Sequence, residues 1–400
     1  MSGVIVASAP AVRSLAAAHW LRSLRVALFA YALSRALIFG VWVLVAQLQL
    51  EQPIGREGLA RPSADVAHEA PAQILRRLAS YNDGGWYMTI AEHGYEARAF
   101  DTTRLANWAF FPLHPLIWRA GATLLGDFPA AGLWLANLEF LVALFLLHRL
   151  ALALGRDAAA AERAVLALAL FPVSYFCALP WSESLFLLLS TATFLAAVRE
   201  RWGWVAVLGV LTSATRLAGV FLLPALLLYL WPRRRELSWQ PWLALAAMPL
   251  GLFAFMLELH AVTGNAFAFS GIQAAWGRHA ASPLDPLVEM LQRPHLAIED
   301  WNFRWLNFAA AAGGAAGAIA LWRRREPALA VFTLLGLTAP LASGTLMSMA
   351  RYALGLFPLA LAIADVTAHR AVERVWFALS AALLALMSAA FALLLTFAGA

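Results

Sequence analysis

Long apolar runs alternate with short polar, arginine-bearing segments along the whole chain. The runs fall near 24–49, 129–150, 161–178, 183–199, 240–262, 303–322, 327–343, 351–367 and 374–398. A helix needs roughly 17–25 apolar residues to cross the hydrocarbon of a bilayer. The pattern therefore predicts an all-α polytopic membrane protein. Two stretches leave alternatives open. Residues 110–126 carry Pro112, His114, Pro115 and Arg119 and read as a short crossing or an interfacial helix. Residues 203–231 read as one long helix or as two half-length helices broken around Thr215, Arg216 and Gly219.

The excess of basic residues on the cytoplasmic side of membrane proteins resolves both together. If 110–126 stays at the interface and 203–231 is a hairpin, the arginine clusters in 1–23, 149–163, 199–202, 232–237, 323–326 and 368–374 share one side. The expectation is about eleven transmembrane segments, counting the two half-helices, with the N-terminus inside, the C-terminus outside and the first helix retained. One transmembrane domain, 1–400, then carries a first external loop, 50–128, with juxtamembrane helices, and a second large external loop, 264–302. Residues 50–75 read as a mobile loop. The polar motifs all fall on the side away from the cytoplasm.

Composition sharpens this picture. Hydrophobic residues make up 62% of the 400 and charged ones 13%, which excludes an ordinary soluble domain. The net charge of +6 comes from arginine alone, since the chain has no lysine. Because the arginines sit between the spans, they read as a topology signal, and no nucleic-acid partner is implied. Cys177 is the only cysteine, so neither an intrachain disulfide nor a cysteine metal cluster is possible. The histidines show no metal-ligand spacing, and no glycine-rich phosphate loop follows a strand. No metal and no cofactor are expected. The donor of any group transfer would come from the lipid phase.

Candidate chemistry starts at the polar and aromatic island 81–95, YNDGGWYMTIAEHGY. Asp83 precedes Trp86, Tyr87, Ile90 and Gly94, the spacing of one helical face. Two readings stand for Asp83: an N-cap of a surface helix ended by Gly94, and a catalytic acid or base at the membrane rim. Ionisable residues within or beside a span are costly and mark function by default. Glu183 opens a helix, where an acid is favoured by the macrodipole. Arg216 lies between two half-helices and suits either an anion or the free carbonyls of the break. Arg351 stands at a helix start, where a cation is unfavourable without a negative partner or ligand. Arg35 and Glu139 are expected to pair inside the bundle. Trp276, Gly277 and Arg278 close an aromatic loop that reads as a lid or an interfacial anchor.

Taken in order, these pieces resemble a known family. Asp83-Gly84-Gly85-Trp86-Tyr87 with Ile90-Ala91 and Gly94-Tyr95, then Phe110-Phe111-Pro112-Leu113 and Pro115, are similar to the first-loop signature of the PIG-V type (GPI mannosyltransferase II-like) proteins. The similarity continues through Phe171-Pro172, Ser182-Glu183-Ser184, Thr215-Arg216 with Gly219, Trp276-Gly277-Arg278, Ser348-Met349 and Arg351-Tyr352. It departs at Asn82, His114 and Leu217, where an aromatic residue, tyrosine and proline are common.

The resemblance implies a GT-C glycosyltransferase fold and transfer, with inversion, of a sugar, mannose first, from a polyprenyl-phosphate carrier on the extracytoplasmic side. Asp83 is then the expected catalytic base. Arg351, with Arg216 or Arg278, would hold the donor phosphate, and Trp86, Tyr87, His114, Glu183, Trp276 and Tyr352 would line the substrates. The partners implied are the lipid-linked donor, a lipid or glycan acceptor and the membrane itself. The all-arginine, alanine-rich composition points to a bacterial inner membrane and to an acceptor other than a GPI precursor. Two rival classes remain. A lipid or polysaccharide transporter would use the same charges for translocation and would show paired helix breaks. A non-catalytic subunit of a cell-envelope complex would not need Asp83.

Overall fold

The computed structural model describes residues 9–48, 70–299 and 301–399, so part of the expected mobile loop, 50–69, lies outside the described residues. In chain order the helices are α1 (Ala9–Gln47), α2 (Pro71–Ala79), α3 (Asp83–His93), α4 (Leu113–Leu125), α5 (Phe128–Ala153) and α6 (Ala158–Ala169). They continue with α7 (Ser182–Val198), α8 (Trp202–Ser213), α9 (Leu222–Leu230), α10 (Gln240–Ala247), α11 (Leu250–Thr263) and α12 (Ala268–Gly271). The last are α13 (Asp285–Gln292), α14 (Arg304–Arg323), α15 (Pro327–Leu341), α16 (Met349–Leu354), α17 (Phe357–Val366) and α18 (Arg370–Ala392). A two-strand antiparallel ribbon pairs β1 (Ile298–Glu299) with β2 (Asn302–Phe303).

Among the described residues, five stretches are helical, long and apolar enough to cross a membrane: Trp20–Gln47, Phe128–Ala153, Gln240–Thr263, Arg304–Arg323 and Arg370–Ala392. Shorter apolar helices stand among them. The protein is an all-α integral membrane protein. Three expected spans are interrupted, one of them being 240–262, which divides at Met248 and Pro249 into α10 and α11. The run 161–178 stops as an α-helix at Ala169 and resumes as the 3₁₀ turn Ser174–Ala178, because Pro172 has no amide hydrogen for a helical bond. The run 351–367 divides into α16 and α17, with Pro358 in the first turn of the second, the place a helix tolerates proline. Asp127 and Asp157 cap α5 and α6, accepting from the amides of Ala130 at 3.0 Å and Ala160 at 2.7 Å.

The ends of the helices sort into two opposite faces. At one, Arg22 pairs with Glu162 at 2.7 Å, and the enclosed Arg156 pairs with Glu326 at 2.7 Å and Asp365 at 3.0 Å. Arg233, after α9, pairs with Glu200, before α8, at 2.7 Å. The two ends of the 203–231 stretch therefore meet, and the break at Thr215 and Arg216 is the tip of a hairpin. Gly219 allows it: a Cβ there would collide with the carbonyl of Thr212. α7 is buried on nearly every side, against α5 and α8. Its hydroxyls turn back to backbone carbonyls, Ser184 to Cys177 at 3.1 Å and Thr193 to Leu189 at 2.7 Å. The start of α7 carries the polar cluster described next.

If the arginine-rich face is cytoplasmic, a cysteine in the loop at the opposite face is reachable from outside. Thr102 there and Ala159 at the arginine-rich face are both exposed. In a Cys177→Ala background, Thr102→Cys should react with a membrane-impermeant thiol reagent on intact cells, and Ala159→Cys should not. The reverse pattern would invert the orientation.

Candidate active site

The site begins at a corner. α2 ends at Ala79, the chain turns through Asn82 in the left-handed region (φ 51°), and α3 begins at Asp83. A side chain at Gly84 would collide with the carbonyl of Ala79, and one at Gly85 would come within 2.8 Å of the carbonyl of Ser80. The Asp-Gly-Gly triplet is thus what lets α3 start hard against the end of α2. Tyr81 donates to the Leu394 carbonyl at 3.2 Å, which ties the corner to the segment after α18. The capping expectation is corrected here. Asn82 holds the cap position, no side chain makes a cap bond, and Asp83 is the first helical residue. Its carboxylate is engaged elsewhere, on Arg351 Nη2 at 2.5 Å.

Glu183 lies in the first turn of α7 with no exposed side-chain surface. Its Oε1 accepts from Arg216 Nη1 and from Arg351 Nε, each at 2.5 Å. A buried carboxylate persists only when paired and hydrogen-bonded. Here two cations serve one acid. Arg216 leaves the hairpin tip between α8 and the 3₁₀ turn Leu217–Phe221. It also donates to Ser182 Oγ at 3.2 Å, which in turn accepts from Tyr87 at 2.8 Å. Arg351 reaches in from the short α16, its guanidinium over the rings of Trp181 at 4.5 Å and Phe176 at 5.4 Å. The negative partner expected for a cation at this helix start is present twice, as Glu183 and Asp83.

Arg278 completes the group. It donates to the Tyr352 hydroxyl at 2.9 Å and to Gln273 Oε1 at 3.1 Å, and makes no ion pair with a carboxylate among the described residues. The Tyr352 ring faces Arg216 at 5.6 Å and Arg278 at 6.0 Å. Three arginines thus meet two carboxylates, leaving one positive charge over. Trp86, three residues after Asp83 and so on its side of α3, sits 6.0 Å from Phe110 and 6.2 Å from Trp276. These rings form an aromatic wall.

Two expectations are placed differently. His114 is buried behind the cluster, its Nε2 2.8 Å from the Pro180 carbonyl and its ring against Tyr87. The carbonyl only accepts, so Nε2 carries the hydrogen. Burial in this juxtamembrane helix pushes the imidazole down to about 4, so it stays neutral and holds the turn that leads into Glu183. Arg35 and Glu139 form no ion pair among the described residues. The Arg35 guanidinium lies instead over Phe140 at 4.6 Å and Tyr31 at 5.3 Å. Successive helical residues point about 100° apart, so a helix that turns Phe140 toward Arg35 turns Glu139 away. The structure also adds Trp181, Ser182 and Gln273 to the site. The only sequence signal for the first two was their place beside Glu183.

No protein-family model matches the chain, and no curated protein sequence matches it. Solved structures of similar course include ArnT from Cupriavidus metallidurans bound to undecaprenyl phosphate, at 15% identity and a TM-score of 0.48, covering 92% of this chain and 76% of that one. Another is the Archaeoglobus fulgidus oligosaccharyltransferase in the apo form, at 15% identity and a TM-score of 0.46, covering 94% and 54%. A third is the archaeal oligosaccharyltransferase AglB from Archaeoglobus fulgidus with an inhibitory peptide and a dolichol-phosphate, at 13% identity and a TM-score of 0.43, covering 94% and 55%. The chain spans just over half the length of the two archaeal structures.

Removing Glu183 leaves two buried guanidinium groups facing each other. Glu183→Ala should therefore cost about 3–5 kcal/mol, the range for breaking a buried ion pair. Denaturation of the purified protein in detergent measures it; an unchanged midpoint would deny Glu183 its anchoring role.

Proposed function

We propose that this cluster is the active site of an inverting glycosyltransferase, which moves a sugar, mannose first, from a polyprenyl-phosphate carrier to a lipid or glycan acceptor at the extracytoplasmic face. The observation that carries the reading is Asp83, a carboxylate 24% exposed in direct contact with an arginine group that has positive charge to spare. The GT-C arrangement implied by the sequence motifs supports it.

In this reaction the acceptor hydroxyl oxygen attacks the anomeric carbon from the face opposite the phosphate. The bond from that carbon to the phosphate oxygen breaks, and its electron pair leaves with the carrier phosphate. The hydroxyl proton passes to the Asp83 carboxylate. Arginine stabilises the leaving phosphate as charge develops on it, with a planar fork suited to its oxygens. Arg278 is the first ligand of the phosphate, since its own hydrogen-bond partners are neutral. Arg351 and Arg216, which begin on carboxylates, assist. Trp86 and Trp276 offer ring faces to the sugar, and Tyr87 and Tyr352 set the depth of the seat. A transporter would carry its substrate site near the bilayer midplane, whereas this cluster gathers at one end of the helices.

Membranes given radiolabelled polyprenyl-phosphate-mannose test the reading. Asp83→Asn should fold, insert and lose transfer by about 10²–10⁴-fold, the usual share of a positioned base. Activity within a few-fold of wild type would remove Asp83 from the chemistry. Arg278→Ala should weaken donor binding by about 1.5–3 kcal/mol, the worth of a hydrogen bond to a charged group. Unchanged donor affinity would move the phosphate to another arginine.

A further inference from the structure

Arg351 joins the proposed base to the buried acid through two neighbouring nitrogens of one guanidinium. Its Nε is fixed on Glu183, whose side chain is fully enclosed, and its Nη2 rests on Asp83, which is 24% exposed. The plane between them is held by Trp181 and Phe176. Of the two ion pairs, only the one to Asp83 is open to an incoming anion. Asp83 itself has little freedom to follow the arginine, because the Gly84 and Gly85 contacts pin the start of α3 against α2.

We propose that Arg351 makes the base conditional on the donor: with the phosphate seat empty it holds the Asp83 carboxylate, and a bound donor phosphate takes over Nη2 and frees that carboxylate for the acceptor. The inference rests on the donor reading given above. While its oxygen rests on Nη2, that carboxylate is not free to accept the hydrogen bond of an acceptor hydroxyl. Once the donor phosphate competes for Nη2, the same carboxylate is released to take up the acceptor hydroxyl beside the anomeric carbon. Glu183 is then the positioning residue that keeps Arg351 from leaving with the phosphate. The kinetic consequence is a required order, donor before acceptor.

The experiment is equilibrium binding of polyprenyl-phosphate-mannose, without acceptor, to the purified full-length protein in four forms: wild type, Asp83→Asn, Arg351→Gln and the double variant. Asp83→Asn should bind donor more tightly than wild type, on the order of tenfold, the size of a coupling between groups in contact, although it turns none over. The gain should vanish in the Arg351→Gln background, where no guanidinium remains to be released. An equal gain in both backgrounds would mark a general field of the carboxylate and overturn the latch. Weaker binding by Asp83→Asn would place Asp83 on the donor and overturn it too. Absence of binding by the wild type would instead strike the donor reading itself. Should Arg351→Gln fail to fold, Arg351→Lys replaces it: an ammonium lacks the planar fork that holds both carboxylates at fixed positions, so the gain should shrink if the latch exists and persist in full if it does not.

Discussion

The constraint on which this structure turns is the carboxylate of Glu183, enclosed at the head of the deeply buried α7. Taking an ionised carboxylate out of water costs several kcal/mol even after relaxation, and only well-placed opposite charge offsets it. The chain supplies that charge from two remote places. Arg216 comes from a hairpin tip that exists because α8 breaks and Gly219 lets the chain lie against Thr212. Arg351 comes from a six-residue helix cut off from α17 by a turn at Gly355 and Leu356. Both helix interruptions, which weaken the spans as spans, serve to bring a guanidinium to the same oxygen.

Local chemistry was legible in the chain wherever it depended on short-range pattern. The apolar runs and the hairpin in 203–231 follow from spacing and charge. The Asp-Gly-Gly corner was legible as a site but not as a geometry. Whether an acid caps a helix or begins it depends on the backbone of the residue before it, here Asn82 at φ 51°, which no local pattern discloses. The links that assemble the site are longer still, 33 residues from Glu183 to Arg216 and 168 to Arg351. Pairings over such distances are set by helix packing. The expected Arg35 and Glu139 pair shows the same limit: opposite charges at similar depth suggest a bond, and the helical phase of Phe140 decides against it.

The opposite face of the protein offers a charge cluster to set beside the proposed site. Arg156 and Arg324 meet Glu326 and Asp365 there, two cations on two acids. That group is electrically closed and joins the ends of α5, α14, α15 and α17. At the site the same residue types are combined with a surplus: Arg216, Arg278 and Arg351 against Asp83 and Glu183. A surplus cation near the rim of a membrane is expensive to keep, and an anion that fits there recovers the cost. A phosphodiester carries one negative charge, which brings the five groups and their ligand to neutrality. In the proposed transfer the phosphate gains a second negative charge as Asp83 gains a proton, so the total within the site does not change during the step. The arrangement is therefore suited to a reaction that shifts charge between a phosphate and a carboxylate within a few ångströms, without drawing in counterions from either side of the membrane.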